Sequence, residues 1–411
     1  MAHASVSGCC SCSSSDDDFP GFISHFVEEK IGPSCPIRRV QTARSSQQQV
    51  FILHLDNTSG EPRCWKEEIC NGGDRLVVRI WKGSSRWWNL NHPKSIRHEL
   101  ENIARHEVWG YRTASKTLLG CNSKVCGPTV LHFSVQSKDS PSWAILEYIG
   151  PGSLRFRDDT AEIDTSWVDG MVKVRHEFGF PEPHPRWGRV PVEQAVDYAL
   201  EVLLSVVMPL HTNTDVAAED YFPTPSHSYE SMVRLYHDDF QNYLAKYSGG
   251  DSNESTGIPK AVLALGDAIE RLVLLCNAGD VPSPLPLKLC HLDLQPQNMV
   301  FGMKDGVSNL MAVFDWEEAG YADPRFELLM LGRKVCANKS QALEVWRMYE
   351  KHAKVDLGPI DPWLYLETVH SLVTLLLQAT SGGGRSPWES KQDVCGKIDR
   401  ELARLQSYGN N

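Results

Sequence analysis

The chain has 411 residues with 41% apolar and 23% charged side chains, which is the balance of a globular protein with a sizeable core and not of a disordered one. Lys and Arg number 41 against 52 Asp and Glu, for a formal charge of −11. A dedicated nucleic-acid binder needs a basic excess to neutralise phosphates, so no nucleic-acid partner is expected, and any anionic ligand must meet a local cation or a metal. The first residues lack a basic region followed by an apolar run, and no stretch approaches the ~18 consecutive apolar residues of a membrane span. The expectation is a cytoplasmic protein with no membrane span, and its oligomeric state is not written in the sequence. Twelve Cys at uneven spacing read as free thiols. Cys9, Cys10 and Cys12 have no second half of a zinc site, and Cys121 and Cys126 have no His or Cys pair at zinc-finger distance.

Taken in chain order, residues 1–21 form a Ser/Asp-rich tail expected to be disordered. Residues 22–30 predict a short helix. Extended segments follow at 37–43, 50–54 and 75–81, rich in β-branched and apolar residues and separated by polar or Gly-containing tracts. From 93 to 118 the apolar residues Ile96, Leu100, Ile103, Val108 and Tyr111 keep a near-helical period. Residues 129–135 and 143–148 predict two further strands. Gly150-Pro151-Gly152 marks a hinge. Beyond it helices are predicted at 192–211, 228–247, 260–277, 324–335, 340–353, 363–378 and 389–405, with an island of β character at 287–316. The fold class is therefore α+β and bilobal: a small lobe of antiparallel strands with one helix at 22–149, and a larger, mainly helical lobe at 150–411.

The chemistry concentrates in Cys290-His291-Leu292-Asp293-Leu294-Gln295-Pro296-Gln297-Asn298, followed by an apolar strand that ends in Phe314-Asp315-Trp316. One carboxylate, Asp293, is placed to accept a hydroxyl proton. Asn298 and Asp315 are hard oxygen donors of the kind that suits Mg²⁺ with water and phosphate in its shell. A base and two such donors make the minimal set for phosphoryl transfer, where positioning and charge neutralisation supply most of the catalysis.

This spacing, His291-x-Asp293-x4-Asn298 with Asp315 seventeen residues on and Asp323-Pro324 opening a helix, resembles the aminoglycoside phosphotransferase and choline kinase group of the protein-kinase-like fold. The resemblance is strongest at 288–330 and implies an ATP-dependent transfer of the γ-phosphoryl group to a hydroxyl of a small molecule. Asp293 would be the base, and Asn298 and Asp315 would hold Mg²⁺. His291 would brace the loop. Asp323 would bond catalytic-loop backbone and cap the helix at Pro324. Protein kinases acting on Ser or Thr carry Lys two residues after the base. Here that position is Gln295, which favours a small-molecule acceptor.

In the small lobe the pattern departs from the family. Strand alternation puts Val77 and Arg79 on one face, so Arg79 would stand for the phosphate-binding Lys and Glu107 for its acidic partner. Glu99 and Glu101 are alternatives to Glu107. No Gly-rich phosphate loop is present; residues 44–49 occupy its place. Glu147 and Ile149 would flank the segment whose backbone pairs with adenine. The missing loop and the Arg79 substitution also fit a catalytically silent kinase-fold scaffold. Acidic residues 215, 219, 220, 238, 239 and 318 are candidates for collecting a cationic acceptor, or form a solvated face.

Overall fold

In a computed structural model the described residues are 21–31, 37–43, 49–55, 75–81, 100–121, 125, 127–135, 141–149, 162–163, 195–212, 228–247, 258–295, 298–304, 307–336, 339–380 and 391–409. The 1–21 tail apart from Gly21, residues 44–48, Glu99, the Gly150 hinge and residues 215, 219 and 220 lie outside them. The chain divides into two compact units, one from residues 1–83 and 128–161, the other from 84–127 and 162–411.

The first unit contains helix α1 (Gly21–Ile31) and strands β1 (Ile37–Ala43), β2 (Gln49–Leu55), β3 (Arg75–Ile80), β4 (Val130–Ser134) and β5 (Trp143–Glu147). They form a five-stranded sheet in the order β1-β2-β3-β5-β4, antiparallel throughout. Successive side chains of a strand alternate between faces. Phe51, Leu53, Leu76, Val78, Ile80, Trp143 and Ile145 accordingly share one buried face. Ile23 of α1, with no exposed surface, packs into that cluster, and Phe26 meets the Trp143 ring edge-on at 5.1 Å.

The second unit begins with α2 (Leu100–Gly120), the helix expected from the 93–118 pattern. A two-residue strand, β6 (Glu162–Ile163), precedes a continuous helical run of α3 (Ala195–Val202), a π-helical turn (Leu203–Val207) and α4 (Met208–Thr212). That run is the one segment of the described residues long and apolar enough to pass as a membrane span, with mean hydropathy 1.3, and 56% of it is buried within the protein. Then come α5 (Tyr229–Tyr247), α6 (Ile258–Ala278), β7 (Lys288–Cys290), β8 (Met299–Lys304), β9 (Val307–Val313) and β10 (Gly320–Ala322). Helices α7 (Pro324–Val335), α8 (Lys339–Ala353), α9 (Asp361–Thr380) and α10 (Lys391–Gly409) close the chain. Strands β8 and β9 form a hairpin that β6 extends, and β10 pairs with β7. The α+β expectation holds, with the antiparallel sheet first and the mainly helical part after it. The long helices were legible because their apolar period spans several turns; β6 and β10 were not, being two or three residues long.

Every Trp among the described residues is buried: Trp81, Trp109, Trp143, Trp316, Trp346 and Trp363. Trp316 fixes α2. A Cβ on Gly110 would come within 2.6 Å of the Trp316 carbonyl oxygen, so this close helix approach requires glycine. Among the described residues the tryptophans therefore build core.

Candidate active site

The loop between β7 and β8 holds the first group of expected site residues, and the end of β9 brings the second to it. In the hairpin register Val313 faces Met299, so residues 298 and 315 leave the same end of the ladder. Phe314 N–H donates to the Asn298 carbonyl at 2.8 Å and closes that end. The Asn298 side-chain amide donates to Asp293 twice, to the backbone carbonyl at 3.0 Å and to Oδ2 at 2.8 Å. Gln295 Nε2 donates to the same Oδ2 at 2.7 Å. Hydrogen bonds thus hold Asp293 to Asn298, and Asn298 to the residue before Asp315, at one end of the hairpin.

His291 is locked in one tautomer. Its Nδ1 accepts from Asp293 N–H at 3.2 Å, so Nε2 carries the proton and donates to the Phe314 carbonyl at 2.7 Å. The ring lies 4.4 Å from that of Trp316. Burial lowers its pKa to about 4, which keeps it neutral. It ties the loop to the end of β9.

The loop is held from below by a residue the sequence reading did not single out. Glu327 in the first turn of α7 is fully buried and accepts from His291 N–H at 2.8 Å and Leu292 N–H at 2.7 Å. Burial pushes its carboxyl up to about 7 against the pull of these two amides. The expectation that Asp323 bonds catalytic-loop backbone is corrected here. Asp323 does cap α7 by accepting from Arg325 N–H at 3.1 Å, but its oxygens are otherwise taken by the Arg325 guanidinium and by Leu285 N–H. One turn further along α7, Glu327 points the right way. The available signal was an acidic residue in the first turn of a helix whose neighbours Leu328 and Leu331 are apolar.

Two site residues carry left-handed backbone, Leu292 at φ 63° and Asp315 at φ 62°. Non-glycine residues there cost about 1–3 kcal/mol each and persist where the surroundings over-determine them. Glu327 supplies that constraint at Leu292. Tyr111 of α2 supplies it at Asp315, whose N–H donates to the phenol oxygen at 3.2 Å.

Burial raises the Asp293 carboxyl to about 7, the Lys334 ammonium opposes that, and the Asp315 and Glu318 charges add to it. Asn298 Oδ1 accepts no hydrogen bond among the described residues, since all its printed contacts are donations from Nδ2. That amide oxygen and Asp315 stand at one hairpin end. No group of three or more His, Cys, Asp or Glu able to hold a metal occurs among the described residues. Two oxygens with no closed cage fit a Mg²⁺ that arrives with phosphate and water in its shell, and do not fit a resident structural metal.

Behind the loop, His211 of α4 links Tyr349 and Cys290. Its Nδ1 is 3.0 Å from the Tyr349 hydroxyl and its Nε2 is 3.4 Å from Cys290 Sγ, with Ala322 O 3.9 Å from the sulfur. Burial lowers the His211 pKa to about 3. The unfolded chain binds a proton near the ordinary 6.5 and the folded chain does not. This stability is therefore fully present above pH 6.5 and is lost as pH falls towards 4, for His291 as for His211. Urea unfolding of His211→Gln between pH 4.5 and 6 is expected to show a pH slope shallower by about 1.4 kcal/mol per pH unit than the parent. An unchanged slope would place the histidine charge elsewhere.

In the first unit Arg79 sits on the half-exposed face of β3 with Val77, while Leu76, Val78 and Ile80 face the core. Its guanidinium lies 6.0 Å from the Trp81 ring centroid. Glu147 accepts from Thr129 N–H at 3.2 Å and from the Thr129 hydroxyl at 2.8 Å, which ties β5 to the residue before β4. Ile149 is buried. Glu107, on α2 in the second unit, is fully buried.

The phosphotransferase enzyme family matches residues 239–363, which contain the loop, the hairpin and α7. Among solved structures, the GDP and kanamycin complex of the aminoglycoside phosphotransferase APH(2")-IIIa is 13% identical, covers 94% of this chain and 99% of its own, and has a TM-score of 0.54. The GDP complex of aminoglycoside 2'-phosphotransferase-IIIa is 14% identical over 93% of this chain and 98% of its own, with a TM-score of 0.53. The streptomycin–ATP–APH(2")-IIa ternary complex is 14% identical over 94% and 97%, with a TM-score of 0.50. No curated protein matches the sequence at a significant level. Residues 239–363 thus match the phosphotransferase enzyme family, and the fold is similar to that of the aminoglycoside phosphotransferase structures.

Proposed function

We propose that this protein transfers the γ-phosphoryl group of ATP to a hydroxyl group of a small molecule. One observation carries the reading: the Asn298 amide donates to both the backbone and the carboxylate of Asp293 while Phe314 N–H bonds Asn298, so a base and two oxygen donors converge at one hairpin end. Two of the similar structures contain a nucleotide together with an aminoglycoside, which supports a nucleotide donor and a small acceptor here.

In this reading Asp293 orients the acceptor hydroxyl and takes its proton. The Asn298 and Asp315 oxygens would hold Mg²⁺, which when bound neutralises charge on the nucleotide phosphates. His291 and Glu327 keep the loop in register. Arg79 would meet nucleotide phosphate, Glu107 would be its acidic partner, and the backbone at Glu147–Ile149 would meet the base. The first of these also answers a demand of composition, because a chain of charge −11 needs local cations for a polyanion.

The test is calorimetry of ATP with and without Mg²⁺ on the parent and on Asp315→Ala, joined to ADP release over a panel of hydroxylated acceptors. The parent is expected to bind ATP more tightly with Mg²⁺ by about tenfold or more, and Asp315→Ala to lose that difference. Equal Mg²⁺ dependence in both proteins would sink the assignment of Asp315. Nucleotide binding without ADP release over the whole panel would favour the silent scaffold.

A further inference from the structure

Tyr111 is one of the periodic residues that predict helix α2, and it lies buried there. Packing accounts for its ring and not for its hydroxyl, since a buried phenol needs a polar partner. It meets one at the N–H of Asp315, which donates to the phenol oxygen at 3.2 Å from 204 positions away in sequence. The helix that carries the phenol is set close against the turn after Asp315. A Cβ on Gly110, the residue before Tyr111, would lie 2.9 Å from the Trp316 Cβ and 3.3 Å from the Ala319 Cβ. One turn on, Ser115 Oγ donates to the Gly127 carbonyl at 3.2 Å, and a Cβ on Gly127 would lie 3.6 Å from Trp316 Nε1. Helix α2 and the segment it holds at Gly127 thus both touch the residue that follows Asp315, so the phenol oxygen is delivered by a fixed frame.

The bond acts on a backbone with two alternatives. Asp315 has φ 62° and ψ 60° and precedes the short helical turn Trp316–Glu318. An Asp in that place ordinarily takes extended backbone and accepts from an N–H two or three residues on. Here the Asp315 side chain makes no such cap bond. In the ordinary form the carboxylate is spent on its own turn; in the left-handed form it is not. The loop and hairpin fix the chain as far as Phe314, whose carbonyl accepts from His291 and whose N–H donates to the Asn298 carbonyl. Tyr111 bonds the next amide along, the one at which the two forms part.

We propose that Tyr111 is a positioning residue for the metal site: its phenol oxygen holds Asp315 left-handed, which keeps the carboxylate off the Trp316–Glu318 turn and reserves it for the Mg²⁺ that comes with the nucleotide. This rests on the phosphotransferase reading above. Tyr111 acts through the Asp315 N–H and not on substrate. Groups that orient a metal ligand in this way govern metal affinity or activity by about 10- to 100-fold. Without the phenol oxygen the strained form loses a stabilising bond, and the carboxylate falls back on the amides of its own turn.

The variant is Tyr111→Phe, which removes one oxygen and keeps the ring in its packing. The probes are ADP alone, ADP with titrated Mg²⁺, and hydrogen exchange at the Asp315 amide in metal-free protein. By calorimetry Tyr111→Phe is expected to need about 10-fold more Mg²⁺ for half-maximal enhancement of ADP binding, while ADP alone binds within about twofold of the parent. The Asp315 amide should exchange about 10-fold faster than in the parent. Saturating Mg²⁺ should bring turnover, read as ADP release from ATP, back to within about threefold of the parent. A Mg²⁺ requirement within about twofold of the parent, or unchanged exchange at Asp315, would overturn the proposal. So would a loss of turnover that saturating Mg²⁺ does not restore, because a phenol that only packs α2 would give that result. Failure of the underlying reading looks different: Asp315→Ala would then show the Mg²⁺ requirement of the parent.

Discussion

Asp293→Asn is expected to abolish most phosphoryl transfer while leaving Mg·ATP binding close to the parent. The substitution is nearly isosteric, and Oδ1 of the new amide can still accept from Asn298 and Gln295. What it removes is the capacity to take a proton. A positioned general base contributes about 10²–10⁴-fold, so kcat measured by ADP release should fall by that factor. In the proposed function the nucleotide would be held by other groups, Asn298 and Asp315 among them, so its affinity should change little. Turnover at the parent rate would remove Asp293 from the chemistry. The raised carboxyl adds a second readout: activity in the parent should rise with pH as Asp293 ionises, and that limb should be missing from whatever residual rate the variant shows. The sign follows from the role, since only the ionised carboxylate can accept the hydroxyl proton.

Much of this site was readable because its parts are close in sequence. His291, Asp293 and Asn298 share one loop, and hydrogen bonds across two or five residues join them. Asp315 was readable because an apolar strand announces where it ends. The cap at Asp323 was readable because Asp followed by Pro is a local signal for a helix start. Glu327 was not, because its partners lie 35 and 36 positions upstream and only the packing of α7 under the loop brings it there. The same holds for the π turn at Leu203–Val207. Its sequence, LLSVV, has no breaker, and the extra residue per turn shows only in the backbone. The left-handed conformation of Leu292 goes against its residue type, so no propensity could have announced it. In each case the tertiary environment sets the local geometry.

That dependence makes Glu327 the position where stability and activity should fail together. Its carboxylate holds two buried backbone donors, one of them on left-handed Leu292. Hydrogen bonds to a charged group contribute about 1.5–3 kcal/mol each, so Glu327→Ala should cost about 3–6 kcal/mol. That is a large share of the 5–15 kcal/mol typical of a folded domain, roughly enough to unfold a marginal one. Glu327→Gln keeps an acceptor oxygen for one amide and sets its NH₂ against the other. It should therefore fold, with about half the loss, and serve as the variant in which activity can be read. With Leu292 released, Asp293 is no longer held at the hairpin end, so kcat should drop by about 10-fold or more while nucleotide affinity stays near the parent value. Urea unfolding and ADP release on the same preparation check both parts. A Glu327→Gln protein as active as the parent would mean that the β8–β9 hairpin alone positions the base. An inactive variant with parental stability would mean that Glu327 acts on the reaction and not through the loop it holds.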